Sequence, residues 1–139
     1  MTDLTGTRTR ENLIAAFAAD AQASRRFQWM AQAADVDGRP DVASTLRAIA
    51  DSDAGHANGH LDHLAESGDP ATGTPIGSIE ENLRSAIASE TYECTQMYPG
   101  FARQARADGL SDIADWFDAL AVAGQRHVDR LTQLLDGGD

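Results

Sequence analysis

The sequence predicts an all-α four-helix bundle made of two antiparallel helical hairpins. Four long segments repeat their apolar residues with a helical period, and no segment alternates as a strand would. Short stretches that contain glycine separate the first segment from the second and the third from the fourth, which favours antiparallel neighbours. A length of 139 residues is typical of one domain, so we expect residues 1–139 to share a single core.

The first hairpin is predicted from residues 7–35 and 40–66. The tight stretch "VDGRP" between them predicts a turn around Gly38. Pro40 suits the first position of the second helix, because the N–H that proline lacks would have no helical partner there.

The second hairpin is predicted from residues 78–107 and 111–135. The stretch "SIEE", which begins at Ser78, has the pattern of a capping box, and Gly109 suits a helix end. Pro99 has no amide donor, so we expect a kink or bulge in the third helix at that point.

The link between the hairpins, "SGDPATGTPIGS", limits how one chain can fold. It spans roughly 40 Å at most, at about 3.3 to 3.6 Å per residue, and a helix of about 27 residues is equally long. A crossover along the whole bundle is therefore barely within its reach. We expect a homodimer, and an exchange of hairpins between two chains would relieve the link.

The net charge of −11 has an unusual make-up. All 11 basic residues are arginine, and 16 Asp stand against 6 Glu. This composition resembles that of proteins from salt-loving archaea, in whose cytoplasm a Debye length of about 3 Å or less screens an acidic surface. No basic patch is visible, which argues against a nucleic-acid partner.

Neither an export signal nor a membrane anchor is predicted. The start "MTDLTGTRTR" has no apolar core, and no run approaches the ~18 to 20 apolar residues of a membrane span, so we expect a cytoplasmic protein. Cys94 is the single cysteine, which excludes an intramolecular disulfide and a cysteine-based metal site. Any metal would therefore be held by carboxylates and imidazoles.

Polar residues interrupt the apolar stripes of the first two predicted helices near their middles. Counted from Gly38, Asp20 lies 18 residues back, and Asp53 and His56 lie 15 and 18 residues forward. In an antiparallel hairpin these three side chains fall at one level. The i, i+3 spacing of Asp53 and His56 also places them on one helical face.

The second hairpin repeats this arrangement. Counted from Gly109, Glu90 and Glu93 lie 19 and 16 residues back, and Gly124 and His127 lie 15 and 18 forward. Several carboxylates in one core layer are costly unless they are protonated, hydrated or neutralised by a cation, and a metal is the simplest neutraliser. The predicted metal ligands are Asp20, Asp53, His56, Glu90, Glu93 and His127.

Two further histidines extend the stripe of His56. We expect His60 and His63 to be packing residues, because they lie one to two turns toward the end of the bundle. The alternative is a second metal site there with Asp62 or Glu66.

Several stretches resemble the rubrerythrin branch of the ferritin-like superfamily over nearly the whole chain. They include "HANGHLDHL", "NLRSAIASETYE", "MYPGFA" and "IADWFDALAVAGQRH". The resemblance implies a ferritin-like four-helix bundle, two irons on carboxylates and histidines, reduction of peroxide or a related oxygen-detoxifying reaction, and a dimer. The CxxC pairs of the rubredoxin module found in full-length members do not occur, so an electron donor would be a separate rubredoxin-like protein.

The ligand positions depart from the family pattern in three places. Asp20 and Asp53 stand where the family has glutamates, and Gly124 stands where the family has the bridging glutamate of an ExxH motif that ends at His127. The loss of that glutamate removes a contact to both metals, and we expect it to leave space for a water or an exogenous anion.

Two functions remain open. The first is an oxidoreductase whose di-metal centre reduces hydrogen peroxide or oxidises ferrous iron. In it, Glu90 and His127 hold one metal, Asp20 with His56 or Glu93 holds the other, and Asp53 lies between them. The second is a non-catalytic binding or structural protein whose site has degenerated at Gly124. The sequence leaves open whether two irons, one or none are bound, and whether another divalent metal takes their place.

Overall fold

The computed structural model describes residues 3–137, which form two compact helical units that divide after Pro70. Hairpin 1 contains α1 (Arg8–Val36) and α2 (Pro40–Leu64). Hairpin 2 contains α3 (Ile79–Tyr92), a π-helical turn (Glu93–Met97), α4 (Tyr98–Ala107) and α5 (Ser111–Gly137). Residues 3–137 contain no strand, which confirms the all-α prediction.

Small side chains allow the helices of hairpin 1 to pack closely. Near the turn, Val42 and Leu46 pack against a buried cluster of three alanines, Ala31, Ala34 and Ala43. Gly38 in the turn has a φ of +71°, a left-handed conformation that a side chain would strain. Pro40 is the first residue of α2, as predicted.

Hairpin 2 begins with the predicted capping box. The Glu81 amide donates to the Ser78 hydroxyl, and the Ser78 amide donates to the Glu81 carboxylate. Toward the turn, Ala102, Ala105 and Ala114 are buried, and Phe117 packs against them. The Phe117 ring also stacks on Tyr98 with 6.0 Å between ring centroids.

The third predicted helix is interrupted by the π-helical turn. The Tyr98 amide donates to the Glu93 carbonyl, five residues back, where an α-helix would use a carbonyl four residues back. Pro99 follows directly and has no amide to donate. The irregularity predicted from Pro99 therefore exists, and it includes Glu93, one of the predicted ligands.

Large apolar side chains remain exposed on both hairpins. Trp29 on α1 is 71% exposed and Trp116 on α5 is 61% exposed, whereas Leu64 is fully buried. The reason is geometric, since a pair of helices encloses only the strip between them. Among the helices of residues 3–137, none has both the length and the apolarity that a membrane crossing demands.

Candidate metal centre

Hairpin 1 brings three predicted ligands together. Asp20 on α1 and Asp53 and His56 on α2 each offer one ligand atom, and these atoms all lie within 4.8 Å of one another. The His56 Nδ1 atom is 3.6 Å from Asp53 Oδ1 and 3.9 Å from Asp20 Oδ1. We call these three residues the hairpin 1 group.

The donor chemistry of the hairpin 1 group fits a divalent metal. Two carboxylates and one imidazole suit iron, manganese or zinc, and the two carboxylates offset the charge of the cation. The Asp53 side chain is 16% exposed and that of Asp20 26%, whereas that of His56 is 58% exposed. The carboxylates are therefore partly desolvated, and an ion can enter from the side of His56.

Hairpin 2 brings two predicted ligands together. His127 Nδ1 on α5 lies 3.4 Å from Glu90 Oε2 on α3. The Glu90 side chain is 31% exposed and that of His127 61%. The pair is a two-donor set of one carboxylate and one imidazole.

Glu93 occupies a different place in hairpin 2. It begins the π-helical turn and lines a cavity of about 390 Å³ together with Ala71, Thr72, Ala88, Ser89, Tyr92 and Met97. The cavity wall is mainly apolar and hydroxyl-bearing, so Glu93 is its one carboxylate.

Gly124 is buried against the third helix. A Cβ atom placed on it would lie 3.7 Å from Glu90 Oε2, so position 124 faces the Glu90–His127 pair as predicted. The same Cβ atom would lie only 2.7 Å from the Cβ of Cys94, closer than real Cβ atoms approach. The expectation of free space left by the missing glutamate is therefore wrong, because Cys94 fills the place where that side chain would begin.

His60 is part of the polar cluster of hairpin 1, contrary to the expectation that it only packs. Its Nε2 atom lies 2.7 Å from Asp20 Oδ2. The sequence signal was its spacing of four residues from His56, which places both rings on one face of α2. His63, one turn farther on, is exposed.

Arginine pairs strengthen each hairpin near its turn. Arg47 on α2 donates to Asp35 on α1, and this hydrogen bond holds the pKa of that carboxyl below its ordinary value. In hairpin 2, Arg106 donates to Asp118 and Asp115, which raises the pKa of the guanidinium. These cations lie near the turns, away from the hairpin 1 group.

The family model of rubrerythrin matches residues 11–135. The chain belongs to the rubrerythrin family. The rubrerythrin of Nitratidesulfovibrio vulgaris is 36% identical over 135 residues, which cover 94% of this chain and 70% of that protein. The rubrerythrin of Porphyromonas gingivalis is 34% identical over 135 residues, with 94% of this chain and 67% of that protein covered. Rubrerythrin-1 of Clostridium acetobutylicum is 30% identical over 143 residues, with 97% and 73% covered.

Membership in the rubrerythrin family confirms the resemblance drawn from the sequence motifs. It also confirms the fold class, an all-α ferritin-like four-helix bundle.

Proposed function

We propose that this rubrerythrin family member binds iron on the hairpin 1 group and uses it to reduce hydrogen peroxide. The observation that carries the proposal is the convergence of three ligand atoms within 4.8 Å, two from carboxylates and one from an imidazole. Partial burial supports it further, because two partly desolvated carboxylates side by side repel one another unless a cation or a proton lies between them.

Hairpin 2 supplies the donors for a second iron. Glu90 and His127 lie 3.4 Å apart and form a two-donor set. Glu93 is the third predicted ligand of this hairpin. A water would complete the coordination that the missing carboxylate at position 124 does not provide.

Bound iron would supply the redox chemistry. Two ferrous ions give up one electron each, and two electrons with two protons convert one hydrogen peroxide molecule to two waters. Oxidation of ferrous iron uses the same ligands and is the related activity. A separate rubredoxin-like protein would return the electrons.

The competing function is a non-catalytic bundle that has lost its second metal position. Gly124 favours it, because the backbone there lies too close to Cys94 for any side chain without a shift of α5. In that case hairpin 1 would still bind a divalent ion, but two irons would not share a bridging carboxylate and peroxide turnover would be absent.

Iron reconstitution separates the two functions. Protein purified in high salt is loaded with ferrous iron without oxygen, and iron per chain and peroxide consumption with an added reductant are measured. We expect about one to two irons per chain and turnover of peroxide. Iron binding without turnover would support the non-catalytic function, and absence of both would contradict any metal role.

Matched variants locate the iron. Asp20→Asn with Asp53→Asn removes both carboxylate charges of the hairpin 1 group and should abolish binding there. Asp62→Asn on the same helix is the control, because Asp62 is exposed and lies outside the hairpin 1 group. Loss of iron in the control instead would place the ion near His63, which was the alternative site predicted from sequence.

A second copy of the chain is the expected partner. Trp29 and Trp116 are exposed in the single chain, and the short link "SGDPATGTPIGS" favours exchange of hairpins between two chains. Sedimentation equilibrium should give a dimer mass in high salt. A monomer mass at all concentrations would contradict this expectation.

A further inference from the structure

His60 makes the contact that joins α2 to Asp20 on α1. The His60 Nε2 and Asp20 Oδ2 atoms are 2.7 Å apart, and both side chains are only about one quarter exposed, at 25% and 26%. A carboxylate can only accept a hydrogen bond, so the Nε2 atom must carry the proton and donate it. This fixes the tautomer of the ring as well as the position of the carboxylate.

The two oxygens of Asp20 therefore have different neighbours. Oδ2 accepts from His60, whereas Oδ1 faces His56 Nδ1 at 3.9 Å. A carboxylate free to rotate could bind an ion through either oxygen or through both. With Oδ2 engaged, Oδ1 is the oxygen that remains for an ion at the hairpin 1 group.

The distance also shows that His60 and Asp20 do not face each other as two ligands of one ion. Ligand atoms on a divalent metal lie about 2.1 Å from it at angles near 90° or more, which keeps them about 3 Å or more apart. A separation of 2.7 Å is instead ordinary for a charge-assisted hydrogen bond.

We propose that His60 is a positioning residue that holds Asp20 as a one-oxygen ligand for a divalent cation at the hairpin 1 group. The proposal rests on the proposed metal binding of that group. Physically, His60 offsets the shortness of Asp20, since a hydrogen bond from the neighbouring helix fixes the direction in which the single CH2 group presents its carboxylate. Hydrogen-bond partners of this kind orient metal ligands and raise metal affinity.

The test uses Co²⁺ as the probe, because its visible absorption reports the number and type of ligands. Co²⁺ affinity is measured by competition with a chelator for the wild type, His60→Gln, His60→Leu and His63→Leu. His60→Leu should weaken affinity about 10- to 100-fold, because Asp20 loses its donor. His60→Gln should stay within about 3-fold of the wild type with an unchanged spectrum, since its amide can donate to Oδ2. His63→Leu, an exposed histidine one turn on, should change neither.

The outcomes separate this inference from the proposed function. If the wild type binds no Co²⁺ and no iron, the metal site itself is refuted and the role of His60 with it. If the wild type binds but His60→Leu binds equally well, metal binding stands and positioning by His60 is overturned. A changed spectrum in His60→Gln would also overturn it, because His60 would then be a ligand.

A measurement without metal guards against misfolded variants. Nitrogen NMR of the metal-free wild type should show His60 protonated at Nε2, and the Nε2 resonance should shift in Asp20→Asn. An unprotonated Nε2 atom would contradict the hydrogen bond on which the inference rests.

Discussion

The two hairpins share one plan but carry different amounts of their expected chemistry. Hairpin 1 gathers two carboxylates and an imidazole within 4.8 Å, and His60 adds a hydrogen bond that fixes one of the carboxylates. Hairpin 2 keeps one carboxylate and one imidazole, 3.4 Å apart, and its third position is a buried glycine. The difference shows that a metal site can be reduced on one hairpin by closer backbone packing while it is kept on the other.

The largest expected effect is on metal affinity. Asp53→Asn should lower Co²⁺ affinity about 100-fold, or about 2.7 kcal/mol, because it removes a charged ligand from the more complete set. Glu90→Gln in hairpin 2 should lower the affinity of the tightest site much less. Chelator competition on both variants measures this. An equal loss in both would mean that the two hairpins contribute equally, which would break the comparison.

The second effect concerns the close approach at Gly124. Gly124→Ala should destabilise the metal-free protein by about 1 to 3 kcal/mol, because its Cβ would lie 2.7 Å from that of Cys94. Gly55→Ala in hairpin 1 is the matched control. Nothing lies within 4 Å of a Cβ there, so it should stabilise the helix by up to about 1 kcal/mol. Urea unfolding measures both.

A double-mutant cycle sharpens this result. Cys94→Gly removes the opposing Cβ, so Gly124→Ala should cost much less in that background, with a coupling of about 1 kcal/mol or more. Additive effects would show that Cys94 is not the cause of the strain. The Gly124→Glu variant should likewise fail to raise metal content unless α5 moves away from Cys94.

The third effect compares the helix starts of the two hairpins. Ser78→Ala should cost about 1 kcal/mol of stability, because it removes the hydroxyl that accepts from the Glu81 amide in the capping box. Thr7→Ala in hairpin 1 should cost somewhat less, since its hydroxyl accepts one amide, that of Arg10. Thermal unfolding of both variants gives the order, and a larger loss in Thr7→Ala would contradict it.

The smallest effect is the dependence of stability on pH near the turns. The Arg47 hydrogen bond lowers the pKa of Asp35 below the ordinary 3.8, so its stabilisation is present above pH 3.8 and is lost as pH falls through the lowered value. The stability difference between wild type and Asp35→Asn should therefore be greatest at neutral pH and vanish in acid. High salt should also reduce it, because the pair is exposed.

Hairpin 2 provides the comparison for that ion pair. Arg106 contacts two carboxylates, so Asp118→Asn leaves Asp115 in place and should change stability less than Asp35→Asn. A larger loss in Asp118→Asn would show that the second carboxylate does not compensate.

The sequence predicted the helices and the polar layer well because both depend on local periodicity. Equal counts from Gly38 placed Asp20 level with Asp53 and His56, and the structure places their ligand atoms together. The capping box at Ser78 needs only a few residues in the right order, so it was also predictable.

The same counting missed His60. It lies 22 residues beyond Gly38, whereas Asp20 lies 18 before it, so four residues of helix, or about 6 Å, separate their levels. Counting of Cα levels ignores the reach and direction of side chains, and the contact between His60 and Asp20 is made diagonally across the two helices.

By itself the sequence determined the all-α class, the turns, the helix caps and the set of carboxylates and histidines available for a metal. Those properties follow from residue chemistry and from spacing along one helix. Only the tertiary structure decided that His60 holds Asp20 and that Cys94 occupies the space at Gly124. Both depend on how closely two helices approach and at what rotation, and in hairpin 2 the π-helical turn changes that rotation by one residue.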